Sequence, residues 1–134
     1  MNYLARREHS RIELVKKLSK RFPDDTALVQ PEVQKLTDEN LQSDKRFAES
    51  YLRHRSGNGY GLTRIQLELN ERGVCKADIE FALGAEPIEW RALAKSAFIK
   101  KFGELPAVDI KEKVKRVRFM QYRGFASDEY QNLL

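Results

Sequence analysis

The residues that most often do chemistry in enzymes are present in this sequence, but they are not arranged for catalysis. The carboxylate pairs Asp24-Asp25, Asp38-Glu39 and Asp128-Glu129 fall in predicted loops or at predicted helix starts, where they complement helix dipoles. A general acid–base pair needs burial and a raised pKa, which exposed positions seldom provide. No serine lies in a nucleophile-elbow pattern. The sequence therefore predicts a protein that is not an enzyme.

Sites for metals, disulfides and phosphate loops are also missing from the sequence. Cys75 is the single cysteine, which excludes an internal disulfide and a multi-cysteine metal site. His9 and His54 lack the spacing of metal ligands. The run Gly57–Gly61 neither follows a strand pattern nor precedes Gly-Lys-Ser/Thr, so it is not a P-loop or a dinucleotide fingerprint. We expect it to form a turn between two helices, with Tyr60 packed nearby, and we predict no metal and no cofactor.

Positive charge is the chemistry that the sequence does concentrate. Lysine and arginine number 25 against 20 acidic residues, which gives a net charge of +5. Such a balance suits a partner that carries phosphates or carboxylates. Any single basic residue is best explained as a solvated helix surface or a charge at a helix end. The clusters of basic residues, taken together, favour a contact surface.

The elements that must position these charges are helices. Apolar residues recur every three or four positions, and alternating strand patterns of useful length are absent. Capping-box patterns at Ser10-Glu13 and Asp109-Glu112 mark two helix starts, and Gly124 marks a helix end. Pro23 and Pro31 are predicted to bracket one loop. The predicted fold class is all-α.

An internal repeat organises these helices. Arg72-Gly73-Val74 and Arg123-Gly124-Phe125 lie 51 residues apart (124 − 73), and a repeat of this length indicates stacked units. The register is poorer in the middle helix, where Ile65 aligns with Arg116. We therefore expect Val117 to take the apolar position there.

The repeat predicts tandem three-helix, helix-turn-helix-like units. Residues 1–40 form the first repeat, which is expected to be incomplete at its N-terminus; residues 41–86 form the second, and residues 87–134 the third. Because such units bury little surface alone, they are expected to stack into an elongated, curved array with one concave face.

Several short segments of the chain, taken in order, resemble one family. They are Leu4–Arg11 with Glu13-Leu14; Asp44–Ala48 with Arg53, Arg55 and Gly59-Tyr60-Gly61; Arg64-Ile65 with Glu68-Leu69 and Gly73-Val74; Lys113-Val114-Lys115; and Tyr122–Phe125. Together they are similar to the RecX recombination regulators, over nearly the whole chain. Leu62 stands where many members carry proline, which is favoured but not required in a first helical turn.

The resemblance to RecX implies a function and a partner. The implied partner is the RecA recombinase assembled on single-stranded DNA, whose ATP hydrolysis and strand exchange RecX-like proteins hold back by lodging in the filament groove. Direct contacts with phosphates of single- or double-stranded DNA are also expected. The chain is expected to be a cytoplasmic monomer that does not enter a membrane. From charge and motif position, the predicted contact residues are Arg6, Arg7, Arg11, Arg53, Arg55, Arg64, Lys95, Lys113 and Lys115.

Two hypotheses from other classes stay open. A helix-turn-helix DNA-binding regulator acting without a recombinase would bind a specific duplex sequence in a salt-sensitive way. A small scaffold that only joins proteins would show no dependence on nucleic acid. The predicted helices carry a mixed charged surface, so packing explains the three-helix pattern better than base recognition does.

Overall fold

Helices make up the regular structure of the described residues, 7–134, of the computed structural model, and no strand occurs in this range. The helices are α1 (Arg11–Arg21), α2 (Thr26–Asp38), α3 (Asp44–Gly57), α4 (Leu62–Glu71), α5 (Lys76–Ala85), α6 (Trp90–Phe102), α7 (Ile110–Arg123) and α8 (Ser127–Tyr130). Short 3₁₀ turns occupy Pro23–Asp25 and Gln131–Leu133. The all-α prediction is confirmed.

Local sequence signals set several helix ends. The Ser10 hydroxyl accepts the backbone N–H of Glu13 at 3.1 Å, and the Glu13 carboxylate accepts the Ser10 N–H at 3.1 Å, which is the expected capping box. Asp109 accepts the N–H of Glu112 at 2.8 Å at the start of α7. Gly124 ends that helix in the left-handed region, with φ +93°. Side-chain caps of this kind stabilise a helix by about 1 kcal/mol each.

The prediction of a loop between Pro23 and Pro31 is wrong, because Pro31 lies inside α2. Val29 and Val33 on this helix are buried with Leu14 of α1. A proline inside a helix costs about 3 kcal/mol, whereas burying one such apolar side chain contributes about 1.5–3 kcal/mol. Packing against α1 therefore outweighs the preference of proline for a loop.

The described chain forms two compact units. One comprises residues 7–51 with Leu69–Glu86, and the other comprises Leu52–Glu68 with Pro87–Leu134. The core of the first unit includes Leu14, Leu18, Val29 and Val33; that of the second includes Ala94, Phe98, Met120, Phe125 and Tyr130. Helices α3 and α4 each contribute to both units, so the repeat boundaries after residues 40 and 86 stay a prediction.

Positions related by the 51-residue offset have matching environments. Leu69 and Met120 are both buried, and Gly73 and Gly124 both adopt positive φ, +79° and +93°. The offset also holds in the middle helix, because Arg116, the counterpart of Ile65, is itself buried while Val117 is only half-buried. Val117 packs against the core that includes Phe98 and Met120, so it makes the expected apolar contact, although Arg116 occupies the buried position.

The buried guanidinium of Arg116 is compensated by several partners. Its Nη1 donates to the carbonyl oxygen of Leu105 at 2.9 Å, and its Nε donates to Oε1 of Glu112 at 3.4 Å. Its guanidinium carbon also lies 5.3 Å from the ring centroid of Phe102. A buried charge is tolerated when it is paired and hydrogen-bonded in this way.

His9 is buried just before α1, and both of its ring nitrogens have partners. Nδ1 lies 3.1 Å from the carbonyl oxygen of Arg7, and Nε2 lies 3.1 Å from Nζ of Lys17. The pair of contacts fits a neutral ring whose Nδ1 donates and whose Nε2 accepts. Burial, together with the charges of Arg7 and Lys17, lowers the pKa of His9 below its ordinary value, against the opposing effect of Glu13.

Acidification is therefore expected to destabilise the protein through His9. The unfolded state takes up a proton as the pH falls through about 6.5, while the folded state resists protonation until the lower folded-state pKa is reached. Between these two values the free energy of unfolding falls with pH, by at most about 1.4 kcal/mol per unit. Urea unfolding at a series of pH values measures this slope. His9→Gln should reduce it, and the exposed-site control His54→Gln should not.

Gly124→Ala is expected to lower the free energy of unfolding by about 2 kcal/mol or more. The left-handed φ disfavours a side chain, and a Cβ would lie 2.5 Å from the backbone nitrogen of Arg64. Gly84→Ala in α5 is the matched control, since a Cβ there meets nothing within 4 Å; it should raise stability by about 0.5–1 kcal/mol. Equal urea midpoints for the two variants would contradict the conclusion that position 124 excludes a side chain.

Candidate partner and nucleic-acid interface

Three arginines surround the ring of Tyr60 in the unit formed by Leu52–Glu68 and Pro87–Leu134. The guanidinium carbon lies 3.7 Å from the ring centroid for Arg55, 4.5 Å for Arg123 and 5.2 Å for Arg64. Contacts of this length are cation–π interactions. The structure thus brings two predicted contact residues, Arg55 and Arg64, to one aromatic ring. We call Arg55, Tyr60, Arg64, Glu68 and Arg123 the Tyr60 cluster.

Glu68 holds two arginines of the Tyr60 cluster in place. Arg55 donates through Nε and Nη2 to the two carboxylate oxygens at 3.0 and 2.9 Å, and Arg64 donates through Nε at 3.2 Å. The Glu68 side chain is only 13% exposed. A two-pronged arginine–carboxylate pair is among the stronger charged contacts in proteins. Arg55 and Arg64 therefore stabilise this unit, whatever else they contact.

The Tyr60 cluster reaches the surface at Tyr122. Nη1 of Arg64 donates to the carbonyl oxygen of Tyr122 at 2.9 Å, and the guanidinium carbon lies 4.4 Å from the centroid of the tyrosine ring. Partial burial opposes the charged form of Arg64, but its contacts with Tyr122 and Glu68 outweigh burial and raise the pKa of Arg64 above its ordinary value. Tyr122 is 65% exposed. An exposed ring beside a fixed cation can stack on unpaired bases or on a partner's aromatic groups.

A close backbone approach brings Arg123 to the Tyr60 cluster. The N–H of Gly61 donates to the carbonyl oxygen of Arg123 at 2.6 Å, and the N–H of Thr63 donates to that of Gly124 at 3.2 Å. A Cβ on Gly61 would lie 2.5 Å from the Gly124 carbonyl, so only glycine fits there. The glycine-rich run acts as a turn with Tyr60 packed nearby, as the sequence indicated.

The predicted contact residues of the other unit are bound within it. Nη1 of Arg7 lies 3.3 Å from Oε1 of Glu13, and the Arg7 side chain is 47% exposed. Arg11 is half-buried and donates to Thr37 Oγ1 at 3.4 Å and to Gln30 Oε1 at 3.3 Å. Arg6 lies outside the described residues. Arg11 therefore links α1 to α2 through side-chain hydrogen bonds and is not fully exposed.

The remaining predicted contact residues are exposed. Arg53 lies on α3, Lys95 on α6, and Lys113 and Lys115 on α7. Residues two apart on a helix point about 200° apart, so Lys113 and Lys115 serve different faces of α7. These four side chains remain accessible to a partner.

A cleft that the sequence did not indicate opens in the same unit as the Tyr60 cluster, with a volume of about 370 Å³. It is lined by Ser56, Gly57, Asn58, Gly59, Leu93, Ser96, Ala97, Lys100, Lys101, Phe119 and Arg123. No acidic residue is in this lining. The available signal was that α6 contains basic residues and no acid, but the sequence does not show that Lys100 and Lys101 meet Arg123.

Residues 7–134 were also found to lack the groupings that other kinds of site require. No group of three or more His, Cys, Asp or Glu side chains in this range is placed to hold a metal ion. None of the helices described there is long and apolar enough to cross a membrane. Cys75, the single cysteine, is exposed.

Two family models match the chain. Residues 43–83 match the second three-helix domain of RecX, and residues 89–132 match the third. Proteins named regulatory protein RecX from Pseudomonas putida and Pseudomonas tolaasii are each 42% identical to this chain. The alignments cover 100% of this chain, and 85% and 86% of those proteins.

Solved structures share the fold. A crystal structure of regulatory protein RecX matches 98% of this chain and 67% of its own, with a TM-score of 0.75 and 22% identity. RecX from Lactobacillus salivarius matches 98% of this chain and 87% of its own, with a TM-score of 0.70 and 22% identity. Fold and sequence together define a regulatory protein built from helical three-helix domains. The chain belongs to the RecX family.

Removing the charge of Glu68 is expected to loosen the Tyr60 cluster. Glu68→Gln leaves Arg55 and Arg64 without their shared carboxylate and should lower the free energy of unfolding by about 1–3 kcal/mol. Glu80→Gln is the matched control, because Glu80 is 64% exposed and pairs with Lys76 at 3.9 Å; an exposed pair of this kind is worth less than about 1 kcal/mol. Chemical unfolding compares the two variants, and equal losses would contradict a structural role for Glu68.

Proposed function

We propose that this chain regulates homologous recombination and DNA repair by binding the RecA recombinase filament on single-stranded DNA. In this proposal it inhibits the ATPase and strand-exchange activities of the filament without catalysing a reaction itself. The observation that carries the proposal is the alignment of the entire chain, at 42% identity, with proteins named regulatory protein RecX. The order of family segments noted in the sequence supports the same partner.

The charge distribution of the described residues supports a filament as the target. Helix α6 carries Arg91, Lys95, Lys100 and Lys101 without an acid, and Lys113 and Lys115 add exposed positive charge on two faces of α7. A nucleoprotein filament offers phosphates and carboxylates to such surfaces. Inhibition would follow from differential binding, since a protein that prefers one filament state shifts the population toward that state.

The direct test is recombinase ATP hydrolysis on single-stranded DNA, titrated with this protein. Because one bound molecule would hold several recombinase subunits in one state, we expect strong inhibition well below one copy per subunit. Inhibition only at stoichiometric excess would indicate competition for DNA. No effect at any ratio, with tight binding to a specific duplex instead, would favour the helix-turn-helix regulator.

The predicted contact residues are tested by charge reversal in the same assay. A triple variant with Lys95, Lys113 and Lys115 changed to Glu should raise the concentration for half-inhibition at least about tenfold, because one charged contact is worth about 1.5–3 kcal/mol. The matched control changes Lys16, Lys35 and Lys76 to Glu, three exposed lysines outside the predicted set. Full inhibition by the first variant would remove these lysines from the proposed interface.

A further inference from the structure

We propose that the cleft lined by Lys100, Lys101 and Arg123 binds a backbone phosphate of single-stranded DNA. This inference deepens the proposed function, on which it rests for its biological setting, because it assigns a direct DNA contact to one place on this chain. None of these three residues was among the predicted contacts.

The charge balance of the cleft favours an anion. Three cationic side chains line it, and no carboxylate does. Three helices end at the cleft, α3 at Gly57, α6 at Phe102 and α7 at Arg123, and each helix C-terminus carries about half a negative charge. Three full positive charges exceed that total of about one and a half. Lys100 and Lys101 therefore do more than compensate the end of their own helix.

The cationic groups are available to a ligand. Neither Lys100 nor Lys101 forms an ion pair within residues 7–134 of the structure, and Nζ of Lys101 lies 5.6 Å from the Phe119 ring. Arg123 is fixed in orientation, because its Nη1 donates to the carbonyl oxygen of Asn58 at 3.1 Å and its guanidinium carbon lies 4.5 Å from the Tyr60 ring. A guanidinium has five N–H donors, so others remain for a phosphate.

The cleft, at about 370 Å³, has room for one phosphodiester unit, and one observation favours a single strand as the source of the phosphate. Tyr122, adjacent to Arg123 in the chain, exposes its ring on the same unit. Aromatic rings stack on bases that are free of pairing, which a single strand provides and a duplex does not.

The test is fluorescence anisotropy with a labelled oligothymidylate of about 20 nucleotides, longer than the site size of most single-strand binding domains. Lys100→Ala/Lys101→Ala should weaken binding about tenfold and reduce the slope of log affinity against log salt by about 0.7, the value for one single-strand phosphate contact. The matched control is Lys16→Ala/Lys20→Ala, which removes the same charge from exposed positions and includes one lysine in the last turn of α1. The control should stay within about twofold of the wild type.

Each of the other outcomes would contradict the binding of a single-strand phosphate in the cleft. Equal losses in the two double variants would mean general charge attraction. Unchanged binding by the cleft variant would exclude the site. A cleft-dependent loss for a duplex of the same length, or for free ATP, but not for oligothymidylate would name a different source of phosphate. Circular dichroism melting confirms that both variants are folded, as expected for exposed lysines.

The same variants separate this inference from the proposed function. If wild-type protein leaves recombinase ATPase unchanged but binds oligothymidylate through the cleft, the proposed function is contradicted and phosphate binding in the cleft is supported. If wild-type protein inhibits the ATPase but the cleft variant binds oligothymidylate like the wild type, phosphate binding in the cleft is contradicted and the proposed function is supported.

Discussion

The close approach of two glycines, Gly61 and Gly124, is the constraint on which the candidate interface depends. Their backbones meet at a distance that excludes any Cβ, and the resulting hydrogen bonds set the position of Arg123. Tyr60, between the glycines of its own turn, then receives three guanidinium groups on its ring. Cation–π contacts contribute about 0.5–2 kcal/mol each, and the backbone contact is what places Arg123 beside the ring. Glu68 completes the arrangement by accepting hydrogen bonds from two of the three guanidinium groups, those of Arg55 and Arg64.

Local signals in the sequence were sufficient for the all-α class and for several helix ends. A capping box needs residues three positions apart, and a left-handed stop needs one glycine, so Ser10, Glu13 and Gly124 could be assigned without tertiary information. Pro31 could not be assigned to a helix in this way, because its place in α2 depends on valines that pack against another helix. The offset of 51 residues identified equivalent positions, but a side-chain hydropathy pattern does not show that Arg116 is buried.

The candidate interface was only partly predictable, for a similar reason. Arg55 and Arg64 were chosen for their charge, yet their use is decided by Glu68, 13 positions from Arg55. Lys95, Lys113 and Lys115 are exposed, and Glu112, although close to both lysines of α7 along the helix, pairs with Arg116. Lys100 and Lys101 line a cleft together with the end of α3 and Arg123, which are distant from them in the chain. Charge can be counted from a sequence, whereas pairing depends on the fold.

The buried arginine of α7 has a consequence for how uniquely that helix is seated. A helix held only by apolar side chains can slide or rotate by a residue and still bury methyl groups, which leaves near-degenerate packings. Arg116 reaches the carbonyl oxygen of Leu105, outside α7, in one setting alone, whereas its partner Glu112 lies on α7 and moves with it. A shifted α7 would keep the pair with Glu112 but lose the hydrogen bond to Leu105, at a cost of about 1.5–3 kcal/mol. The hydrogen bond from Arg116 to Leu105 thus specifies one position of α7 that apolar packing alone would leave less well defined.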